Sequence, residues 1–198
     1  DGRIKKFLEK PGWGEVFSDT INTGIYILEP EVMNYYKAGE NFDFGKDLFP
    51  RLLKDGIPMY GYITSDYWCD VGDLHSYMNT HVDFLEKKVF PVEDAEEVKK
   101  GIWIGRGTIV EEGAQLFPPV YIGKNTIVKK DSKIYGCTVI GDNCYLGENT
   151  SVKKSILWKN VHICNNAEIR KSVLCDGVRI SDRVRIFENS VIGTSSII

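Results

Sequence analysis

The sequence is short of most features that mark a specialised class. No uninterrupted apolar run approaches the ~18–20 residues a membrane span needs, so a membrane partner is not expected. No signal peptide is expected from the first residues, Asp1-Gly2-Arg3-Ile4, which lack an initiating Met. Five cysteines, at 69, 137, 144, 164 and 175, are an odd number without regular spacing. That argues against a secreted disulfide scaffold and for small buried side chains in a reduced cytoplasm. No Cys/His spacing suits zinc. Net charge is only −3, so no general nucleic-acid-binding surface is expected. What remains is ordinary globular composition, 42% apolar and 27% charged, in 198 residues. At roughly 150 residues per domain that gives one to two domains.

Charge is unevenly divided. Residues 1–100 hold twelve Lys/Arg against nineteen Asp/Glu, a net of −7; residues 101–198 hold thirteen against nine, a net of +4. The two halves also differ in pattern. From Ile104 an aliphatic residue recurs through Val110, Leu116, Ile122, Val128, Ile134, Ile140, Leu146 and Val152, then Leu157, Ile163, Ile169, Leu174, Ile180, Ile186 and Ile192. Thirteen of the fifteen steps are six residues and two are five. Gly often follows the aliphatic, as at Gly105, Gly123, Gly141, Gly147 and Gly193, and a small or β-branched residue stands four places on. A helix has period 3.6 and a half-buried strand period two; neither gives six. Six suits a flat-sided coil with a short strand on each side, an inward aliphatic, and tight turns at Gly-Asp-Asn and Gly-Lys-Asn corners. Three sides make a coil of about 18 residues, giving about five coils. The chain closes on Ser195-Ser196-Ile197-Ile198 without a polar cap, so this end is expected to continue or to be covered.

The first half has no repeat. Thr20–Leu28 and Met59–Thr64 read as strands, and 31–37 and 47–54 as short helices. Residues 74–87 form an amphipathic helix with Leu74, Tyr77, Met78, His81, Val82 and Leu85 on one face. Residues 90–100 have the composition of an exposed linker. The expected organisation is an α/β fragment over 1–88, a linker over 89–101 and the coils over 102–198.

Three segments carry possible chemistry: Phe7-Leu8-Glu9-Lys10-Pro11, Asn22-Thr23-Gly24-Ile25-Tyr26 and Trp68-Cys69-Asp70-Val71-Gly72. In this order, before an amphipathic helix and hexapeptide coils, they resemble the C-terminal half of the catalytic domain of sugar-phosphate nucleotidyltransferases. The coils resemble the left-handed parallel β-helix, and the hand comes from that resemblance. The run Trp13–Thr20 is similar to the mannose-1-phosphate guanylyltransferase-like branch. The resemblance implies a Rossmann-like half-domain, with sugar-1-phosphate and nucleoside triphosphate as partners and Mg²⁺ as cofactor. The sugar phosphate attacks the α-phosphate and pyrophosphate leaves, which demands positioning and charge neutralisation. By the same resemblance Asp70 is the metal ligand, Lys10 the catalytic cation on the sugar phosphate, and Glu9, Asn22 and Gly24 the sugar-binding residues. Asp73, nearer the helix start, serves better as its cap.

The family's Gly-rich nucleotide loop and second metal-binding Asp have no counterpart in these residues, so the chain alone is expected to be inactive. A homo-oligomer through the β-helix is expected. Two other readings exist: a non-catalytic scaffold or regulatory subunit of the same architecture, and a hexapeptide acyltransferase using His162. No long loop interrupts the coils to build an acceptor pocket for the latter. His75 and His81 read as structural.

Overall fold

The computed structural model describes residues 2–8, 12–15, 18–89 and 95–198. The chain divides into two compact units, Asp1–Trp68 and Cys69–Ile198.

In the second unit the hexapeptide period becomes a three-faced parallel β-helix. The first face stacks Ile102–Gly105, Val120–Ile122, Thr138–Ile140, Ile156–Leu157, Val173–Leu174 and Val191–Ile192. The second stacks Ile109–Val110, Ile127–Val128, Tyr145–Leu146, His162–Ile163 and Arg179–Ile180. The third stacks Gln115–Leu116, Lys133–Ile134, Ser151–Lys153, Glu168–Arg170 and Arg185–Ile186. Neighbours pair in parallel and in register, as in Ile140 beside Leu157 beside Leu174. The periodic aliphatics from Ile122 to Ile186 fill the interior, most of them with no solvent exposure.

The other periodic positions acquire reasons. A Cβ on Gly141 would lie 2.7 Å from the Trp158 carbonyl oxygen, and one on Gly123 would lie 2.6 Å from the Gly141 carbonyl carbon. Glycine therefore follows the aliphatic because the next coil's backbone occupies a side chain's place. The corners turn through left-handed backbone at Asn125, Asn143, Asn149, Asn160 and Asn166, a conformation Asn tolerates better than most residues. Buried corner hydroxyls bond across coils, Thr126 Oγ1 to the Gly141 carbonyl at 3.0 Å and Ser132 Oγ to that of Gly147 at 2.8 Å. The two five-residue steps fall at one corner of adjacent coils, where Lys154 and Lys171 share φ 49°. Matching short sides stack on one another, so register survives.

Helix α2, Leu74–Leu85, belongs to this unit. Its Tyr77 bonds Trp158, and the Lys87 ammonium just beyond its end lies 5.5 Å from the Trp103 ring centre. From Tyr77 to the helix end at Leu85 the chain advances about 12 Å at helical rise, and Lys87 follows two residues on. Trp158 and Trp103 are three coil steps apart, about 14 Å at usual strand spacing. The helix thus runs along the coil axis.

The stretch expected as an exposed linker is corrected in part. Ala95–Lys99 is a strand, antiparallel to Ile102–Gly105, turning at Gly101 with φ 75°. Glu97 accepts the Gly101 N–H at 2.9 Å and pairs with Lys87 at 2.7 Å, and these two bonds lower its pKa. The strand's charged residues are exposed, as expected of the stretch, and an edge strand is where such charges are favoured. Residues 90–94 lie outside the described residues.

The first unit has a small aromatic core. Leu48, Phe49 and Leu52 are buried, with Phe7, Val32, Tyr35, Phe42, Phe44 and Met59 around them. A π-turn at Phe44–Leu48 leads into helix α1, Phe49–Lys54, and Pro30–Tyr35 is a 3₁₀ turn. The strands expected at 20–28 and 59–64 are not formed. The only described pairing of this unit is a bridge between Arg3 and Tyr60, and Ile21, Ile25, Ile27, Tyr62 and Ile63 are exposed. A β-branched and aromatic run favours extended backbone, but the described residues offer no neighbouring strand to complete a ladder.

Candidate functional site

In the first unit the Asn-Thr-Gly segment folds as a side-chain-closed turn. The Gly24 N–H donates to Asn22 Oδ1 at 3.1 Å, and Asn22 Nδ2 donates to the Tyr26 hydroxyl at 2.7 Å. Gly24 has φ 76°, and no atom lies within 4 Å of where its Cβ would be. The glycine is required by backbone conformation, and it leaves open space above the turn. Its N–H is engaged by Asn22, so its contribution is shape. Asn22 keeps one donor and one acceptor for a ligand hydroxyl.

Aromatic rings connect this turn to Phe7. Tyr26 meets Phe49 edge-on at 5.0 Å between ring centres, and Phe49 meets Phe7 at 4.9 Å. Phe7 stands two residues before Glu9. Glu9 and Lys10 themselves lie outside the described residues.

Asp70 is in the second unit. It is exposed, and among the described residues no hydrogen bond or ion pair engages its carboxylate. Asp73 takes the helix cap, as expected. It accepts the Ser76 N–H at 2.7 Å, and its own N–H donates to Ser76 Oγ at 3.1 Å. The bond from the Ser76 backbone holds the Asp73 carboxyl below the usual aspartate value. The segment is tied at its other end by Thr80 Oγ1 donating to Cys69 Sγ at 3.5 Å. Asp70 therefore stands between two anchored residues with its carboxylate uncommitted. Gly72 carries no positive φ, and a Cβ there would make only ordinary contact with Asp70 Oδ1 at 3.9 Å.

Among the described residues no three His, Cys, Asp or Glu side chains gather as a complete metal cage. One free carboxylate fits Mg²⁺, which uses one or two protein carboxylates and completes its shell with phosphate oxygens and water. Each histidine has a neighbour within the protein. His75 bonds Asn79 at 2.9 Å, His81 bonds the Tyr77 carbonyl at 2.9 Å, and His162 stacks on Tyr145 at 4.6 Å. All five cysteines are free, and burial pushes the Cys144 thiol up to about 11, which makes it a poor nucleophile. Among the described residues no helix is long and apolar enough to cross a membrane.

The contacts Asn22–Tyr26–Phe49–Phe7 and Trp158–Tyr77 were not foreseen. The Asn/Tyr spacing of four was the one available signal for the first. The second joins residues 81 apart and left none.

Comparison with known proteins matches both halves. Residues 1–87 match the nucleotidyl transferase family model, and residues 99–198 match that of the EIF2B subunit epsilon LbH domain. A UTP–glucose-1-phosphate uridylyltransferase of Synechocystis is 34% identical over 139 residues, covering 60% of this chain and 36% of the relative. A mannose-1-phosphate guanylyltransferase of Mycobacterium tuberculosis is 30% identical over 131 residues, covering 60% and 36%. A glucose-1-phosphate adenylyltransferase of Desulfitobacterium hafniense is 27% identical over 168 residues, covering 82% and 41%. The chain thus spans about two fifths or less of these relatives' length.

Proposed function

Since the chain belongs to the sugar-phosphate nucleotidyltransferase family that carries a left-handed β-helix, we propose that it supplies the sugar side of such an enzyme. The reaction joins a sugar-1-phosphate to a nucleoside triphosphate and releases pyrophosphate. Asp70 is the carboxylate for Mg²⁺, which supplies charge neutralisation on the phosphates when bound. Lys10 meets the sugar phosphate as a point charge on a flexible stem. Glu9 and the free donor and acceptor of Asn22 take sugar hydroxyls, and Gly24 shapes the turn that admits the ring. The β-helix is the scaffold and the surface for a homo-oligomer, and a cytoplasmic setting suits the free thiols.

The observation that carries this reading is Asp70. Its neighbour Asp73 caps the helix, so the Asp70 carboxylate is left without a structural duty. In the full-length enzyme, Asp70→Asn should lower the Mg²⁺-dependent rate at least about 10²-fold, ~3 kcal/mol of barrier. An unchanged rate would make Asp70 structural. The 198-residue chain by itself should release no pyrophosphate.

Within the family, mannose-1-phosphate and GTP are the substrates we favour, supported by the Trp13–Thr20 run and the guanylyltransferase relative. A panel of sugar phosphates and triphosphates tests the choice. The β-helix match favours a second reading, a non-catalytic scaffold. It predicts a full-length protein that binds sugar phosphate weakly or not at all and shows no turnover with any pair.

A further inference from the structure

The charge of the β-helix is concentrated on one face. The third face and its corner toward the first carry Lys133, Lys153, Lys154, Arg170, Lys171 and Arg185, all exposed, against Glu168 and Glu188. Residues 101–198 hold thirteen cations and nine anions, so the remainder of the coils holds seven of each. The whole excess of four positive charges therefore sits on this one side.

The pairing differs as well. Elsewhere lysines have partners: Lys129 with Glu111, Lys130 with Glu148 at 3.6 Å, Lys159 with Asp142 at 3.5 Å. On the third face Glu168 serves both Arg170 and Arg185, and among the described residues no carboxylate pairs with Lys133, Lys153, Lys154 or Lys171. Lys153 and Arg170 are register neighbours, so like charges stand on adjacent strands, and Glu168, already shared between Arg170 and Arg185, is the carboxylate that offsets them.

Aromatic rings frame the cations in the same column. Phe117 stacks on Tyr135 at 4.9 Å; Lys153 lies 5.7 Å from the Tyr135 ring centre, and Arg170 lies 5.2 Å from that of Phe187. Phe117 and Phe187, at the two ends, are 40% and 44% exposed.

We propose that this face is a docking surface for an anionic lipid bilayer. Single-stranded nucleic acid needs free ring faces on which bases stack. Here Phe117 and Lys153 take Tyr135 and Arg170 lies over one side of Phe187, and the two exposed rings stand at opposite ends of the face, so no continuous run of open ring faces is offered. Five in-register strands make a plane without a groove, and basic residues flanked by exposed aromatic rings match headgroups and the interfacial layer. The lack of a membrane-spanning helix concerns crossing a bilayer and leaves contact with its surface open. The expectation of no membrane partner is revised to that extent.

The test is co-sedimentation of the 198-residue chain with vesicles of phosphatidylcholine alone and of phosphatidylcholine with phosphatidylglycerol. The chain should bind only the anionic vesicles, and less as salt rises. Lys154→Glu with Lys171→Glu should weaken binding at least about 25-fold, from a factor of about five per surface cation. Both side chains are exposed and unpaired, so the fold should be unaffected. Arg106→Glu with Arg179→Glu makes the same change of net charge away from this face and should leave at least the larger part of binding intact. Phe187→Trp should shift its emission to the blue on the anionic vesicles. Absence of binding at low salt, equal loss in the control pair, or no spectral shift would overturn the proposal. Tighter binding of an oligonucleotide with the same dependence on Lys154 and Lys171 would replace it with a nucleic-acid surface.

Discussion

Trp158 donates its indole N–H to the hydroxyl of Tyr77 at 2.8 Å. Trp158 follows the inward Leu157, at the position where the three preceding coils carry Gly105, Gly123 and Gly141. It is a large side chain in a column of glycines, and helix α2 meets it there. Trp158→Phe and Tyr77→Phe should each lower stability by about 1 kcal/mol, the net value of one such bond. The double variant should lose less than the sum, because both remove the same bond. Urea denaturation of the three variants checks this.

Gly141→Ala should be more damaging than its single added methyl suggests. The new Cβ would stand 2.7 Å from the Trp158 carbonyl oxygen, which belongs to backbone held between coils. Adjacent coils must separate to admit it. We expect a loss of a few kcal/mol, in the range of an overpacked core. Gly193→Ala is the comparison: its nearest neighbour, Ser196 Oγ, is 3.9 Å away, and stability should hardly change. Melting temperatures of the two variants give the contrast.

Tyr26→Phe tests the sugar-binding role proposed for the Asn22–Gly24 turn. It removes the partner of Asn22 Nδ2 while keeping the ring against Phe49. On the proposed function, the KM of the full-length protein for sugar phosphate should rise several-fold with kcat nearly unchanged. Asn22→Ala also loses the bond from the Gly24 N–H and should raise KM about tenfold or more, ~1.4 kcal/mol. Steady-state kinetics over sugar-phosphate concentration distinguishes them.

The cap of helix α2 should make stability respond to acid. The Asp73 carboxyl is held below its ordinary 3.8 by the Ser76 N–H, so the folded state favours the carboxylate. Its contribution is full above pH 3.8 and fades as pH falls through the lower folded value. Asp73→Asn keeps a capping oxygen without that titration. Urea midpoints taken between about pH 5 and 2 should fall more steeply for the parent chain than for Asp73→Asn.

The β-helix was legible because each residue meets the residue at the same phase of the next coil. A contact rule that repeats every six positions writes itself into the sequence as a period, and Ile140, Leu157 and Leu174 show it directly. The cap at Asp73 was legible for a related reason, since it is local. The first unit is different. Asn22, Tyr26, Phe49 and Phe7 are unlike residues at unlike spacings, each contact made once. The same holds for Trp158 and Tyr77. The strand expected at 20–28 failed for the converse reason: an apolar run describes one segment, whereas a ladder needs two.

Helix α2 lies along the coils like a splint. A solenoid held only by nearest neighbours frays from its ends one turn at a time. Trp158 is tied to the helix by Tyr77, and Trp103 to Lys87 in the turn that follows it, so the coils of that span carry a tie at both limits and opening any of them strains the other tie. Those coils should open as a block, and the turns beyond Trp158 should come away singly. A protein of uniform repeats thereby acquires a stiff base and a loosening tip, set by a single helix.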